Sequence, residues 1–477
     1  MKQGYDQTNK QKSTKLLLVG AIVLFVFGFL AGIFWIQMKH PIVKETEFRN
    51  LSAAYNKVMG NYLNGAEPRQ LINGAASGML ASLEDPYSQY LSGEVGAQYS
   101  ESLSGQFYGI GAEMREEDGK FIINAVLKDT PAERGGLMAG DVIVAVDGEE
   151  ISGKSLQQLI TVIKGKEGSS VTVRFQRAGV AEPIEIVLKR EAIKVETVTF
   201  ERLADNIAHI TINRFAGRTH EEFKDVLSAL KQQGPIAGIV LDLRSNPGGA
   251  LDETIAIASE FIPEGKKVLD VVYKNERRVD SYEAYKQEKL DVPVVVLVNG
   301  QSASASEVLA AALKESAGMT IVGEKTFGKG IVQSVSNFPD QSVLSLTEAQ
   351  WKTPTGVWIN KEGVKPDIEV KMPEYAYLRP LAIGAKIEVG SYGEDVKTLQ
   401  QMLQALGYLA NKQSLGIFDE QTKEALKQLQ QAEGIPVNGN FDDKTGFLIV
   451  EKLRDKLTKE DTQMKKALEL LQQEISH

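Results

Sequence analysis

Gly238-Ile239-Val240-Leu241-Asp242-Leu243-Arg244-Ser245-Asn246-Pro247-Gly248-Gly249 is a short apolar run closed by a polar, glycine-rich turn. Runs of this length bounded by Asn, Pro and Gly read as buried strands. The residues from Leu251 to Phe261 then read as a helix. The same order returns downstream. Pro293 to Val298 is a second buried strand, followed by a serine-rich turn and a helix from about Ser304 to Ser316. Thr320 to Val322 is a third. Strands alternating with helices predict an α/β core over residues 191–375, and 477 residues leave room for further domains.

Composition narrows the chemistry. The formal net charge is −9, so nucleic-acid binding has no electrostatic support. There is no cysteine, hence no disulfide, zinc-thiolate site or thiol nucleophile. Of the four histidines, His40 flanks an apolar segment and His477 is the last residue. His209 lies in the alternating stretch Ile207-Ala208-His209-Ile210-Thr211-Ile212, and His220 in a polar turn. A Ser-His-Asp triad would have to recruit one of the latter two, and neither has a glycine-rich setting.

Residues 16–36 contain no charge, and a helix of that length spans about 30 Å of hydrocarbon. Lys2, Lys10, Lys12 and Lys15 precede it. This bias predicts a cytoplasmic tail over residues 1–15, a transmembrane helix over 16–36, and the remainder outside the cytoplasm. A cleaved signal peptide is the alternative, but no small-x-small site is followed by a polar start. Residues 41–100 carry Phe48, Leu51, Tyr55, Val58 and Tyr62 at helical spacing. A second helix is expected from about Arg69 to Leu83. Two helices bury little surface, so this region is expected to pack on a neighbour or a second copy.

Three glycine-rich junctions carry candidate chemistry. In Asn299-Gly300-Gln301-Ser302-Ala303-Ser304-Ala305-Ser306-Glu307, a serine opens a helix whose free N–H groups favour developing negative charge. Spacing does not choose among Ser302, Ser304 and Ser306, and helix capping is the ordinary job of such serines. In Asn246-Pro247-Gly248-Gly249, the paired glycines let backbone approach a substrate. In Phe327-Gly328-Lys329-Gly330, a lysine sits between glycines. A serine hydroxyl needs a base to become nucleophilic, and burial lowers a lysine toward that role. Gln333 shares the face of Lys329 if a strand follows. No cofactor or metal is called for.

Residues 101–190 have another texture. The motif Pro131-Ala132-Glu133-Arg134-Gly135-Gly136-Leu137, followed by Gly140-Asp141-Val142-Ile143-Val144-Ala145-Val146-Asp147-Gly148, resembles a PDZ domain of the bacterial protease type. The resemblance implies that a peptide C-terminus pairs with the strand near Ile110. Backbone N–H groups of Tyr108, Gly109, Ile110 and Gly111 would hold its carboxylate. Residues 384–455 contain an internal echo, Gly416-Ile417-Phe418-Asp419-Glu420-Gln421-Thr422 and Gly439-Asn440-Phe441-Asp442-Asp443-Lys444-Thr445. They resemble the three-helix peptidoglycan-binding module of bacterial wall enzymes, with Leu429 where an aromatic is usual. A dimerisation tail is the alternative. Residues 456–477 read as a charged C-terminal helix.

Taken together, residues 45–372 closely resemble the carboxy-terminal processing (tail-specific) protease family. The match includes Gly78-Met79-Leu80, Asp85-Pro86-Tyr87-Ser88-Gln89-Tyr90, Gly323-Glu324-Lys325, Thr353-Pro354-Thr355-Gly356 and Gly363-Val364-Lys365-Pro366-Asp367-Ile368 as well as the three junctions. Tyr87 departs from the family's usual histidine. The resemblance implies a crotonase-like β/α protease core within an α/β multidomain chain. It implies Ser304 as nucleophile, Lys329 as base and Gln333 as orienting partner. The oxyanion hole would use backbone N–H groups of Ala305 and of Gly248 and Gly249. It further implies that a tail in the PDZ domain switches the protease on, with Lys164 as the basic sensor, and that the N- and C-terminal helical parts build a homodimer. Substrates would be protein C-terminal tails. An inactive PDZ scaffold and an acyl-CoA enzyme of crotonase-like fold are the competing readings. The intact Ser304, Lys329 and Gln333 set argues against the first, and the lack of a basic nucleotide cluster against the second.

Overall fold

The structure, a computed structural model, describes residues 24–29, 46–104, 106–117, 119–194, 196–287, 289–379, 381, 387–410 and 415–476. The chain divides into two units, one ending at Tyr90 and the other running from Leu91. In the first, helices Thr46–Asn61 and Pro68–Ala81 match the two expected from periodicity, the second started by its proline. Neither buries a side chain fully, and Phe48, Leu51, Val58 and Tyr62 remain exposed. The expected membrane span falls largely outside the described residues. Of it, only residues 24–29 are described, as helix with Leu24, Phe25 and Phe27 exposed. Among the described residues no helix is long and apolar enough to cross a membrane.

The second unit opens with the helix Gly93–Ser104 and a sheet domain. Strands Ala112–Glu117, Lys120–Val126, Val142–Val146, Ser170–Gln176 and Ile184–Lys189 lie in that order, with the helix Leu156–Ile163 beside the first. Phe121, Ile123, Leu159, Val171, Val173 and Phe175 fill its interior. The pattern in Ser170–Gln176 alternates buried and half-buried positions, as one-sided antiparallel strands require.

The α/β core follows. Its sheet runs Val198–Arg202, Ile207–Ile212, Gly238–Asp242, Val294–Val298, Thr320–Gly323, Ile368–Glu369, antiparallel in the first pair and parallel thereafter. Every residue of Gly238–Asp242 and Val294–Val298 is buried, because both faces of a central parallel strand are covered. Helices Thr219–Gln232, Leu251–Ala258 and Ala305–Ala317 cover one face through Phe223, Leu230, Ile257, Leu309 and Leu313. A second, antiparallel sheet carries Lys267–Tyr273, Val279–Glu283, Ile331–Asn337 and Val343–Lys352.

The other face of the parallel sheet is covered from far away in sequence. Helix Thr462–Ile475 packs Ala467 and Leu471 against Ile207, Val240, Val295, Leu297 and Val322. The charged helix expected at the C-terminus is thus present over Thr462–Ile475. Its apolar stripe is spent on the core of its own chain, because strands buried on both faces need a second cover. The three-helix module is therefore an insertion between the last strand of the core and its closing helix. Its helices Glu394–Ala405, Glu420–Ala432 and Asp443–Glu460 enclose Leu399, Leu403, Phe418, Leu426, Phe441 and Ile449. Leu429, the departure from the usual aromatic, is fully buried there.

The internal echo of the module has a structural cause. The buried Gln400 amide accepts the Gly416 N–H at 2.7 Å and donates to Ile417 O and Thr422 Oγ1. The buried Gln430 amide treats Gly439, Asn440 and Thr445 in the same way. Asp419 and Asp442 cap their helices by accepting from Thr422 and Thr445. Truncating Leu471 to Ala should cost about 2–5 kcal/mol, the range for a large side chain lost from a packed core. Urea titration of the full chain checks it; a midpoint unchanged from wild type would remove the helix from the core.

Candidate active site

The serine turn begins where Val294–Val298 leaves the sheet. Ser304 precedes the helix Ala305–Ala317 with φ 55° and ψ −116°, a left-handed φ that costs a non-glycine residue about 1–3 kcal/mol. Such a strained strand-to-helix turn lifts a serine out of the sheet, as the nucleophile elbow of α/β-hydrolases does. The geometry separates the three serines. Ser302 and Ser306 are fully buried, and their hydroxyls donate to Leu243 O at 2.8 Å and Asn246 O at 2.9 Å. Ser304 alone is only partly buried.

The glycine turn lies directly against it. A Cβ on Gly248 would stand 2.9 Å from both Ala305 N and Ser304 Cβ, and one on Gly249 would overlap Phe215 O. Their φ angles are 98° and 145°. Both positions therefore need glycine for space and for conformation. Asn246, with no exposed surface, builds the turn: its Nδ2 donates to Ile212 O, its Oδ1 accepts Gly248 N–H at 2.8 Å, and its O accepts Ala303 N–H. The Gly248 N–H is thus already committed. Those of Gly249 and Ala305 have no acceptor among the described residues.

The residue that joins the parts is Glu307, whose carboxylate is completely buried. Oε2 accepts the N–H of Ser304 and of Lys329, both at 2.8 Å. Oε1 accepts Thr326 Oγ1 at 2.5 Å and Gly328 N–H at 2.7 Å. One carboxylate therefore ties the backbone of the serine turn to that of the lysine loop. The loop is fixed again from behind, with Trp351 Nε1 donating to Lys329 O and Trp358 Nε1 to Gly330 O. Gln333 lies in the strand Ile331–Asn337 and donates to Thr347 Oγ1 across the pair at 3.1 Å. The sequence signal for this role of Glu307 is its place three residues past a helix-opening serine.

Neither histidine serves the serine. His209 bonds Glu201, Asp242 and Thr211, and His220 bonds Glu260. The buried Asp242 pairs with the half-buried Arg244, and Arg244 reaches Asp461 at 2.8 Å where the module meets the closing helix. Burial alone would raise the Asp242 carboxyl, but hydrogen bonds from His209 and Arg244 and the Arg244 charge hold it down at about 2. Burial alone would lower His209, but Asp242 and Glu201 raise it above its ordinary 6.5.

In the PDZ-like domain, Tyr108 and Gly109 belong to the strand Gln106–Gly109, paired with Glu191–Lys194, and the Tyr108 carbonyl accepts Gly165 N–H. The turn proper is Ile110 and Gly111, and the open-edged strand begins at Ala112. Lys164 closes the helix Leu156–Ile163 and pairs with Glu101 of the helix Gly93–Ser104 at 3.0 Å.

Comparison with known proteins agrees with this architecture. Residues 206–370 match peptidase family S41, 122–177 a PDZ domain, 392–446 a putative peptidoglycan binding domain, and 36–95 the "activating protease CtpB N-terminal domain". The carboxy-terminal processing protease CtpA of Bacillus subtilis is 37% identical over 459 residues, covering 96% of this chain and 97% of its own. The chain belongs to the carboxy-terminal processing proteases of peptidase family S41. A probable CtpA-like serine protease of Staphylococcus epidermidis is 37% identical over 94% of this chain and 91% of its own. The solved photosystem II D1 C-terminal processing protease is 30% identical, covering 69% of this chain and 94% of its own, with TM-score 0.40.

Glu307→Gln keeps the shape but replaces one acceptor oxygen with a donor facing N–H groups. Cleavage should fall about 10–100-fold in kcat/KM, scored on a peptide substrate; an unchanged value would deny the carboxylate its part in aligning the loops. A second outcome concerns pH. A raised histidine stabilises the fold fully below about 6.5, and this contribution is lost as pH rises through the folded value. The melting temperature should therefore fall between about pH 6 and 8 by more in wild type than in His209→Gln.

Proposed function

We propose that this serine-type peptidase cleaves peptide bonds with a Ser304–Lys329 dyad, oriented by Gln333, on substrates delivered by their C-terminal tails. The observation that carries the reading is the shared Glu307 carboxylate, which binds the backbone of both Ser304 and Lys329. With Ser302 and Ser306 spent on carbonyls and the described histidines on acids, Ser304 is the serine of this turn that the reading favours.

In this mechanism the neutral Lys329 amine takes the proton of Ser304 Oγ as the oxygen attacks the scissile carbonyl. The oxyanion is met by the N–H groups of Gly249 and Ala305, with Gly248 shaping the turn. Lys329 then returns the proton to the leaving amine, and water releases the acyl group by the reverse path. No metal or cofactor enters. The core is read as crotonase-like. Ile110, Gly111 and the strand from Ala112 would hold the tail, with Tyr108 and Gly109 as the strand that leads into the turn. Lys164 would sense the tail by exchanging its Glu101 partner for the peptide.

The uncharged residues 16–36 with their N-terminal lysines support a single-pass anchor with the catalytic core outside the cytoplasm. The inserted module would bind wall glycan, and the exposed apolar stripe of Thr46–Asn61 would pair two copies. Ser304→Ala and Lys329→Ala should each lower turnover of a peptide with an apolar C-terminus by at least about 10³-fold while leaving its binding intact, with no effect of a metal chelator. Cleavage retained in either purified variant would refute the dyad. Tail binding without turnover in wild type would favour the scaffold reading.

A further inference from the structure

Resting on the Ser304–Lys329 reading, we propose that the open edge of the strand Ile331–Asn337 binds the scissile segment of the substrate as an added β-strand. Ile331–Asn337 pairs with Val343–Lys352 on one side and with no described strand on the other. Alternate backbone N–H and C=O groups along it are therefore turned to an unoccupied edge. Lys329 lies two residues upstream, about 7 Å of extended chain. A polypeptide laid along this edge is carried to the lysine by the backbone itself.

Its composition sets this strand apart. Exposed edges invite pairing with other chains, and proteins block them with charge, proline or bulges. The other edge strands of five or more described residues do so. Ala112–Glu117, Ile184–Lys189, Val198–Arg202 and Val279–Glu283 all carry acidic or basic side chains. Ile331-Val332-Gln333-Ser334-Val335-Ser336-Asn337 has none, and no proline. The edge with neither charge nor proline, whose pairing shifts register once between Val332 and Gln333, is the one that begins beside the catalytic lysine.

Both ends of the strand are held. At its start, Gly330 O accepts Trp351 N–H and Trp358 Nε1, and Gly330 N–H donates to Asn360 Oδ1. At its far end, Asn337 Oδ1 accepts Ser100 Oγ at 2.7 Å. Ser100 belongs to Gly93–Ser104, the helix that leads into the PDZ-like domain. The edge thus runs from the element that precedes the tail-binding domain to the active site. Recognition through backbone alone selects one chemical class, extended unfolded polypeptide, whatever its side chains. A folded substrate has no free backbone to offer.

The test is an N-methyl scan on the wild-type full chain. A peptide with an apolar C-terminus is methylated singly at each amide across six residues around the scissile bond, leaving its last four residues untouched. Strand addition predicts kcat/KM lowered at least about tenfold at every second position and near wild type between them. In parallel, Val335→Lys/Ser336→Lys, which gives this edge the charge the others carry, should raise KM at least about fivefold with kcat and melting temperature unchanged. A scan without a two-residue period, or a period with KM unmoved in the lysine variant, overturns the proposal. If Ser304→Ala and Lys329→Ala abolish cleavage while the scan shows no period, only the edge fails; if they retain it, the reading of the site fails first.

Discussion

A single buried carboxylate organises this molecule's candidate site. Ser304 and Lys329 sit in different loops that leave neighbouring strands, and besides the bond from Phe327 N–H to Ser302 O, Glu307 is what ties them together. Glu307 accepts from both, and from Thr326 and Gly328, with no exposed surface of its own. Desolvating a carboxylate is costly unless its oxygens are fully bonded. Here the bonds that satisfy it are those that set the two loops in register. The strain at Ser304 is held in place by the same contact, since its N–H is one of the four donors.

The glycine turn follows the same economy. Asn246 gives one carbonyl to the serine turn and its amide to both the sheet and Gly248, so the turn and the serine cannot move apart independently. Arg244 joins the buried Asp242 to Asp461, the residue that both ends the inserted module and starts the closing helix. The module is consequently anchored to the core at a point adjoining the candidate oxyanion turn, rather than hung from a flexible linker.

Much of this was legible in the sequence, and the limits are physical. The apolar runs at 238–243 and 293–298 read as central strands because both faces are covered and every position must be apolar. The PDZ-like signature was legible because its turns demand specific glycines. The role of Glu307 was not, because its partners Thr326, Gly328 and Lys329 are brought to it by the sheet and not by local spacing. Nor was the commitment of the Gly248 N–H to Asn246, which leaves Gly249 and Ala305 as the free donors. The closing helix was legible as a helix, but its place on the core was not, because its stripe, Ala467 and Leu471, is short and strands such as Gly238–Asp242 and Val294–Val298 lie far upstream.

The central claim is that Ser304, not a neighbouring serine, becomes acylated with Lys329 taking its proton. Mass spectrometry of the enzyme trapped with a slowly deacylating peptide ester tests this most directly. The account predicts one acyl adduct per chain on the proteolytic fragment containing Ser304, assigned to Ser304 by fragmentation, and its disappearance in Lys329→Ala. An adduct on Ser302 or Ser306, or undiminished acylation without Lys329, would contradict it.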